Sequence, residues 1–272
     1  MTNATFDRLS PTIGAEVGNI DLRETLDDAT VSTLRAGLLE HKVLFFREQA
    51  ITSEQHLEFG RYFGDLEVHP VTPKDQEHRE ILLIQHDEAN RGNQNTWHSD
   101  VTWRPEPSLG SILRARVVPD VGGDTLFADM HAAYEGLPDK IKHRLDGLSA
   151  IHDFTRVFGR RFNPEVREQM QRKYPSVEHP VVRTHPETGA KGIYVNAAFT
   201  VCIKDMGDEE STQLLKVLYR QAGIPEYQCR LRWRNDTLAF WDNRSTQHYA
   251  VSDYWPAVRV MERVTVAGDR PY

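Results

Sequence analysis

Apolar residues along this chain gather in short clusters between turn-forming residues. His41–Phe46 is a short apolar run suited to a buried strand. Ser53 reads as a helix N-cap, followed by Leu57, Phe59 and Phe63 on one side and a stop at Gly64. From His69 to Thr102 the chain is polar, with one strand predicted at Ile81–Ile84. A long polar segment of this kind is more often a functional loop than a spacer. Ser108–Val118 reads as a strand, Gly122-Gly123-Asp124 as a tight turn, and Thr125–Phe127 as the next strand. Helical spacing covers Met130–Leu148, Pro164–Lys173 and Asp208–Gln221. Strands are predicted at Pro180–Arg183, Gly192–Val195, Tyr227–Trp233 and Thr237–Trp241. Strands and helices do not alternate regularly. The pattern therefore predicts a mainly β fold, an antiparallel barrel or jelly roll with helical additions, over a doubly wound sheet. No repeat or Ser/Gly-rich linker divides the chain, so residues 1–272 are expected to form one domain.

The last strand, Val258–Val266, carries the most information. Alternate side chains share a face. Val258, Val260, Glu262, Val264 and Val266 form one face, while Arg259, Met261, Arg263 and Thr265 form the other. The two arginines on that face stand roughly 13 Å apart at about 3.3 Å per residue. Facing a barrel interior, both would need anionic partners, because an unpaired buried charge is expensive. Facing water, they would need none, and periodicity alone leaves both orientations open.

Composition narrows the chemistry. Lys plus Arg number 33 against 40 Asp plus Glu, a formal net charge of -7, which argues against non-specific nucleic-acid binding. Two cysteines exclude a disulfide scaffold and a cysteine-based zinc site, whereas 12 histidines keep metal chemistry open. The opening residues lack a cationic start and apolar core of a secretory signal, and no apolar run approaches membrane-spanning length. A cytoplasmic protein without a membrane or nucleic-acid partner is expected.

Trp97-His98-Ser99-Asp100 places an imidazole and a carboxylate two residues apart, on one side if the segment is extended. A distant second imidazole would complete a facial 2-His-1-carboxylate set, which leaves positions open for a chelating co-substrate and O2. His248, in Trp241-Asp-Asn-Arg-Ser-Thr-Gln-His248, is the best-placed candidate. His-x-Asp alone is weak evidence. Joined to a late histidine and two in-phase arginines it becomes strong.

These motifs resemble the taurine dioxygenase branch of the Fe(II)/2-oxoglutarate-dependent oxygenases. The matching text is Trp97–Thr102, Gly122–Thr125, His179–Pro186, Trp241–Tyr249, Arg263–Asp269 and the opening Ser10–Glu16, almost end to end. The resemblance implies a double-stranded β-helix (jelly roll) with helical additions. It implies Fe(II) held by His98, Asp100 and His248, with 2-oxoglutarate and O2 as co-substrates. Arg259 and Thr125 would bind the distal carboxylate of 2-oxoglutarate. His69 and Arg263 would hold the substrate anion, with Gln94, Val101, Phe158 and Phe199 lining the rest of its site. The reaction implied is hydroxylation of the carbon next to sulfur in a small alkanesulfonate such as taurine. Sulfite and an aldehyde would leave, with succinate and CO2, and no catalytic residue is needed beyond the iron ligands.

Taurine-using members carry Tyr where Thr72 stands and Asn where Gln94 stands, so the far end of the substrate is not assigned. Relatives on the same scaffold cleave alkyl sulfates or aryloxyalkanoates, and these are the alternative substrates. A non-catalytic, anion-sensing metal module is a remote alternative from another class. Family members are commonly dimers or tetramers, so a homodimer or homotetramer is expected.

Overall fold

The computed structural model describes residues 4–70, 72, 73, 75–92, 95–159 and 163–272. Its largest element is a seven-stranded sheet. The strand order is Thr5–Arg8, Ala15–Gly18, Val43–Phe46, Leu238–Asp242, Gly110–Val117, Arg259–Val266 and Leu82–His86. A three-stranded sheet holds Gln228–Leu231, Thr125–Asp129 and Thr246–Ala250 in that order. Two smaller sheets join Val182–Thr184 with Lys191–Ile193, and Thr200–Ile203 with Ser149–His152 and Val177–Pro180. The fold is thus mixed α/β with several sheets, and almost every pairing is antiparallel. Among the described residues no helix is long and apolar enough to cross a membrane.

The apolar run at Val43–Phe46 is explained by burial on both faces of its strand. Val43 and Phe45 point into a core shared with Phe127, Leu231, Trp241 and Met261, which draws strands from both large sheets. Leu44 and Phe46 point the other way, into a second core with Leu34, Leu38, Phe59 and Phe240. That outer core is capped by the helices Asp28–His41 and Ser53–Arg61. A strand sandwiched in this way loses the polar–apolar alternation of a half-exposed one.

The same alternation settles which way the final strand faces. Met261 belongs to the core between the sheets, whereas Val264 and Val266 pack outward beneath Leu57 and Phe59. Arg259 and Arg263 share the phase of Met261 and point inward, with Arg259 5% exposed. The strand pairs in steady register with Leu82–His86, Arg259 opposite His86 and Arg263 opposite Leu82, while its pairing with Gly110–Val117 shifts between Val260 and Met261 and sets Arg263 opposite Leu113.

Three local differences from the sequence expectations have physical causes. The helix predicted from Ser53 is capped one residue earlier, by Thr52, whose side chain accepts from Gln55 N while the Gln55 side chain accepts from Thr52 N. That reciprocal pair is a capping box, for which Thr-x-x-Gln is the signature. The single helix predicted over Met130–Leu148 is two, Met130–Glu135 and Asp139–Leu145. Pro138 between them has no N–H to continue the ladder. The helix Asp28–His41 has no counterpart in the sequence expectations, although Asp27 caps it by accepting from Thr30 N at 2.8 Å.

Candidate metal centre and anion sites

Two strands and one loop assemble the centre. Thr246–Ala250 is held in register by Thr125–Asp129, with His248 opposite Phe127. His98, far upstream, pairs with His248 as an isolated antiparallel bridge. His98 N donates to His248 O at 3.1 Å and His248 N donates to His98 O at 2.8 Å. Residues directly opposite across such a bridge project to the same side. The imidazole centroids accordingly lie 4.2 Å apart. After His98 the chain turns, with Val101 at φ 47°, and the Asp100 carboxylate stays within reach of both rings.

The donor atoms of His98, Asp100 and His248 all lie within 4.8 Å of one another. His98 Nδ1 donates to the Thr96 carbonyl at 2.7 Å, so Nε2 keeps its lone pair, 4.0 Å from Asp100 Oδ1. Burial lowers the basicity of both histidines, and pushes His248 down to about 3 with the neighbouring His98 adding to it. His248 Nδ1 is buried without a hydrogen-bond partner among the described residues. Burial alone would raise Asp100, but Arg263, the two histidines and Ser111 outweigh it and hold the carboxyl well below the usual range. Two neutral imidazoles, one carboxylate and an orphaned ring nitrogen suit a divalent cation with open coordination positions.

The carboxylate is braced by groups that the sequence reading did not single out. Ser111 Oγ donates to Asp100 Oδ2 at 2.8 Å, and Asn243 Oδ1 accepts from Asp100 N at 3.2 Å. Asn243 also accepts from Trp241 Nε1 at 2.9 Å and donates to Ser111 Oγ at 3.1 Å. One amide therefore ties the metal-binding loop to two strands of the large sheet. The signals were present: Ser111 shares the inward phase of its strand, and Asn243 follows the inward Trp241 by two residues.

Arg263 stands against this carboxylate, its Nη1 donating to Asp100 Oδ1 at 2.7 Å. Its Nε is buried with no partner among the described residues. His69 is near enough for the charge of Arg263 to act on it, and burial first, then Arg263, pushes His69 down to about 3. The predicted aromatic residues form a chain between them: His69 to Phe158 at 6.4 Å, Phe158 to Phe199 at 6.4 Å, and Phe199 to His98 at 6.3 Å. Val101 and Phe199 pack together with Trp103 and Phe154 in the wall behind them. Thr72 is buried nearby, and Gln94 lies outside the described residues. A cleft of about 610 Å³ begins at His69 and Thr72 and runs past Trp103, Arg104 and Tyr174, without reaching the metal donors.

Arg259 lies at the other end of the strand. Its guanidinium carbon sits over the Trp233 ring at 5.9 Å and the Tyr254 ring at 5.7 Å, and its Nε has no partner among the described residues. Among the described residues no carboxylate forms a salt bridge with it. Burial pulls its pKa below the ordinary arginine value, as expected for a charge without a counter-ion. Thr125 Oγ1 accepts from Trp233 Nε1 at 2.9 Å, which leaves its own O–H to donate elsewhere. The structure thus brings His98, Asp100 and His248 together, sets Arg263, His69, Val101, Phe158 and Phe199 around them, and joins Arg259 to Thr125 through Trp233.

Comparison with known proteins gives a consistent picture. Residues 5–265 match the family described as "Taurine catabolism dioxygenase TauD, TfdA family". An alpha-ketoglutarate-dependent sulfate ester dioxygenase of Pseudomonas putida is 38% identical over 267 residues, spanning 95% of this chain and 88% of that protein. An alkylsulfatase of Acinetobacter baylyi is 36% identical over 270 residues, spanning 96% and 84% respectively. The crystal structure of a taurine dioxygenase from Burkholderia xenovorans matches with a TM-score of 0.85 at 37% identity, covering 98% of this chain and 90% of that one.

Proposed function

This chain belongs to the TauD/TfdA family of Fe(II)/2-oxoglutarate-dependent dioxygenases, with His98, Asp100 and His248 as its Fe(II) facial triad, and on that premise we propose that it oxidises a small sulfate monoester to an aldehyde and sulfate. The seven-stranded and three-stranded sheets are read as the two walls of a double-stranded β-helix, and residues 1–272 as one dioxygenase domain.

When bound, the iron and its 2-oxoglutarate co-substrate supply the O2-dependent C–H oxidation. The side chains decide what that chemistry reaches. Arg259 and Thr125 receive the distal carboxylate of 2-oxoglutarate, two in-plane N–H groups and one O–H meeting a planar fork. Arg263 and His69 hold the sulfate group. His69 is neutral at pH 7 and donates one N–H, while Arg263 offers its unpaired Nε. Val101, Phe158 and Phe199 wall the first carbon and exclude water from it. Positioning of this kind, rather than acid or base catalysis, is the protein's contribution. In the net reaction the ester R–CH2–O–SO3⁻, 2-oxoglutarate and O2 give R–CHO, hydrogen sulfate, succinate and CO2. The C–H carbon gains a hydroxyl; its C–O bond to sulfate then breaks as the hydroxyl proton leaves and the carbonyl forms.

The observation that carries this reading is the pair of inward arginines on one strand, Arg263 against the iron-binding carboxylate and Arg259 without a carboxylate of its own. The two sulfate-ester relatives favour an ester over the alkanesulfonate expected from the sequence. Sulfonates remain the second reading, favoured by the likeness to a taurine dioxygenase, since both groups present three terminal oxygens to the same clamp. The deciding experiment incubates the Fe(II) enzyme and 2-oxoglutarate with hexyl sulfate, hexanesulfonate, taurine and an aryloxyacetate, scoring succinate and released anion. Sulfate from the ester at the highest kcat/KM is the expected result. Sulfite from a sulfonate at higher kcat/KM overturns it.

A further inference from the structure

A site that handles two anions needs a way to keep them apart. Both arginines on the final strand point inward, yet their surroundings differ. Arg263 has one nitrogen committed to Asp100 at 2.7 Å. No aromatic ring is found over its guanidinium among the described residues. Arg259 instead lies over the faces of two rings, Trp233 at 5.9 Å and Tyr254 at 5.7 Å.

Both rings are themselves held. Trp233 Nε1 donates to Thr125 Oγ1 at 2.9 Å, and the Tyr254 hydroxyl lies 2.7 Å from His86 Nδ1 on the neighbouring strand. The turn below is built to let them close in. A Cβ on Gly123 would stand 3.2 Å from Tyr254 Cδ1 and 3.3 Å from Arg259 Cδ and Nε, and Gly123 has φ +72°, a conformation side chains rarely adopt. Gly123 N donates to Asp253 Oδ1 at 2.8 Å, fastening the loop that carries Tyr254.

We propose that Trp233 and Tyr254 are positioning residues that present Arg259 edge-on to a planar carboxylate, and so reserve it for 2-oxoglutarate while the sulfate group goes to Arg263. Aromatic faces stabilise a guanidinium without offering it an in-plane acceptor. The N–H groups in the guanidinium plane stay unspent. A carboxylate spends both its oxygens on two of them in that plane, whereas a tetrahedral sulfate that pairs two oxygens there leaves the others out of the plane, where aromatic faces offer no donor. This inference rests on Arg259 being the 2-oxoglutarate arginine.

The test uses the full chain loaded with Mn(II), which prevents turnover, and titrates N-oxalylglycine by calorimetry with and without inorganic sulfate. Tyr254→Leu should weaken N-oxalylglycine about fivefold to thirtyfold, the range of a desolvated cation–π contact. Sulfate should compete in that variant and not in the parent. With Fe(II), the KM for 2-oxoglutarate should rise in step while the KM for hexyl sulfate stays within about twofold. Tyr254→Phe, which keeps the ring and loses the His86 bond, should bind within about twofold of the parent. Tyr254→Met gives the same readout should the leucine variant fail to fold. Equal N-oxalylglycine affinity in parent and Tyr254→Leu overturns the proposal, as does an equal loss in Tyr254→Phe or a parallel rise in both KM values. A parent that binds no N-oxalylglycine refutes instead the assignment of Arg259 to 2-oxoglutarate, and this inference with it.

Discussion

Replacing Arg263 by alanine removes two interactions at once, and the structure allows each to be sized. The first is with substrate: losing the charged donor to a desolvated anion costs about 2–4 kcal/mol, roughly 30- to 1,000-fold in kcat/KM. The second is internal. Arg263 and Asp100 form an ion pair at 2.7 Å with side chains only 11% and 6% exposed. Breaking it leaves a buried carboxylate with Ser111 as its remaining side-chain donor, at a cost of about 3–5 kcal/mol in the metal-free protein. A divalent cation supplies the missing positive charge, so metal should restore more stability to the variant than to the parent. The assays are sulfate release at saturating 2-oxoglutarate and thermal melts with and without Mn(II). Arg259→Ala serves as the comparison, and should raise the KM for 2-oxoglutarate while moving that for the ester less than about threefold. A loss below tenfold in kcat/KM for Arg263→Ala, or both variants raising the same KM, refutes this division of labour.

Three further outcomes are expected. Saturating Mn(II) at about 100 times its Kd should stabilise the parent by ~2.7 kcal/mol and raise its melting temperature by about 5–10 °C, and Asp100→Ala should abolish both the shift and turnover. Asn243→Ala should weaken metal affinity by about 10- to 100-fold in direct titration, because the amide that fixes the Asp100 loop is gone; unchanged affinity would show that the bracing is incidental. Metal-free protein should lose stability on acidification: burial drives His56 down to about 3 from an ordinary 6.5, so below pH 6.5 the unfolded chain takes up a proton that the folded chain refuses. That contribution is complete above pH 6.5 and declines as pH falls toward 3, and urea melts of His56→Gln should show a shallower decline over that window.

Legibility in the sequence followed the range of the interaction involved. The strands at Val43–Phe46 and Arg259–Val266 were readable because a buried strand writes its burial into consecutive or alternate residues. His98, Asp100 and His248 were readable as a donor set, and the resemblance named their partners Thr125, Arg259, His69 and Arg263. Periodicity could not choose which face of the last strand is inward, since that depends on Met261 meeting Phe127 and Trp241 from other strands. Nor could it find the roles of Ser111 and Asn243. A serine in a strand and an asparagine in a turn acquire meaning only when a carboxylate from another segment arrives between them. The aromatic setting of Arg259 is likewise assembled from three separate stretches. The Asp28–His41 helix is a different case: its cap at Asp27 and its apolar positions at Leu34 and Leu38 were there to be read.

The backbone bridge between His98 and His248 links points 150 residues apart. A nascent chain leaves the ribosome N-terminus first, so His98 and Asp100 must wait for their third ligand, and Arg259 and Arg263 emerge later still. A growing fragment that ends before His248 therefore cannot capture iron at high affinity. Any truncation upstream of the final strands should yield a chain that neither holds iron nor activates oxygen wastefully.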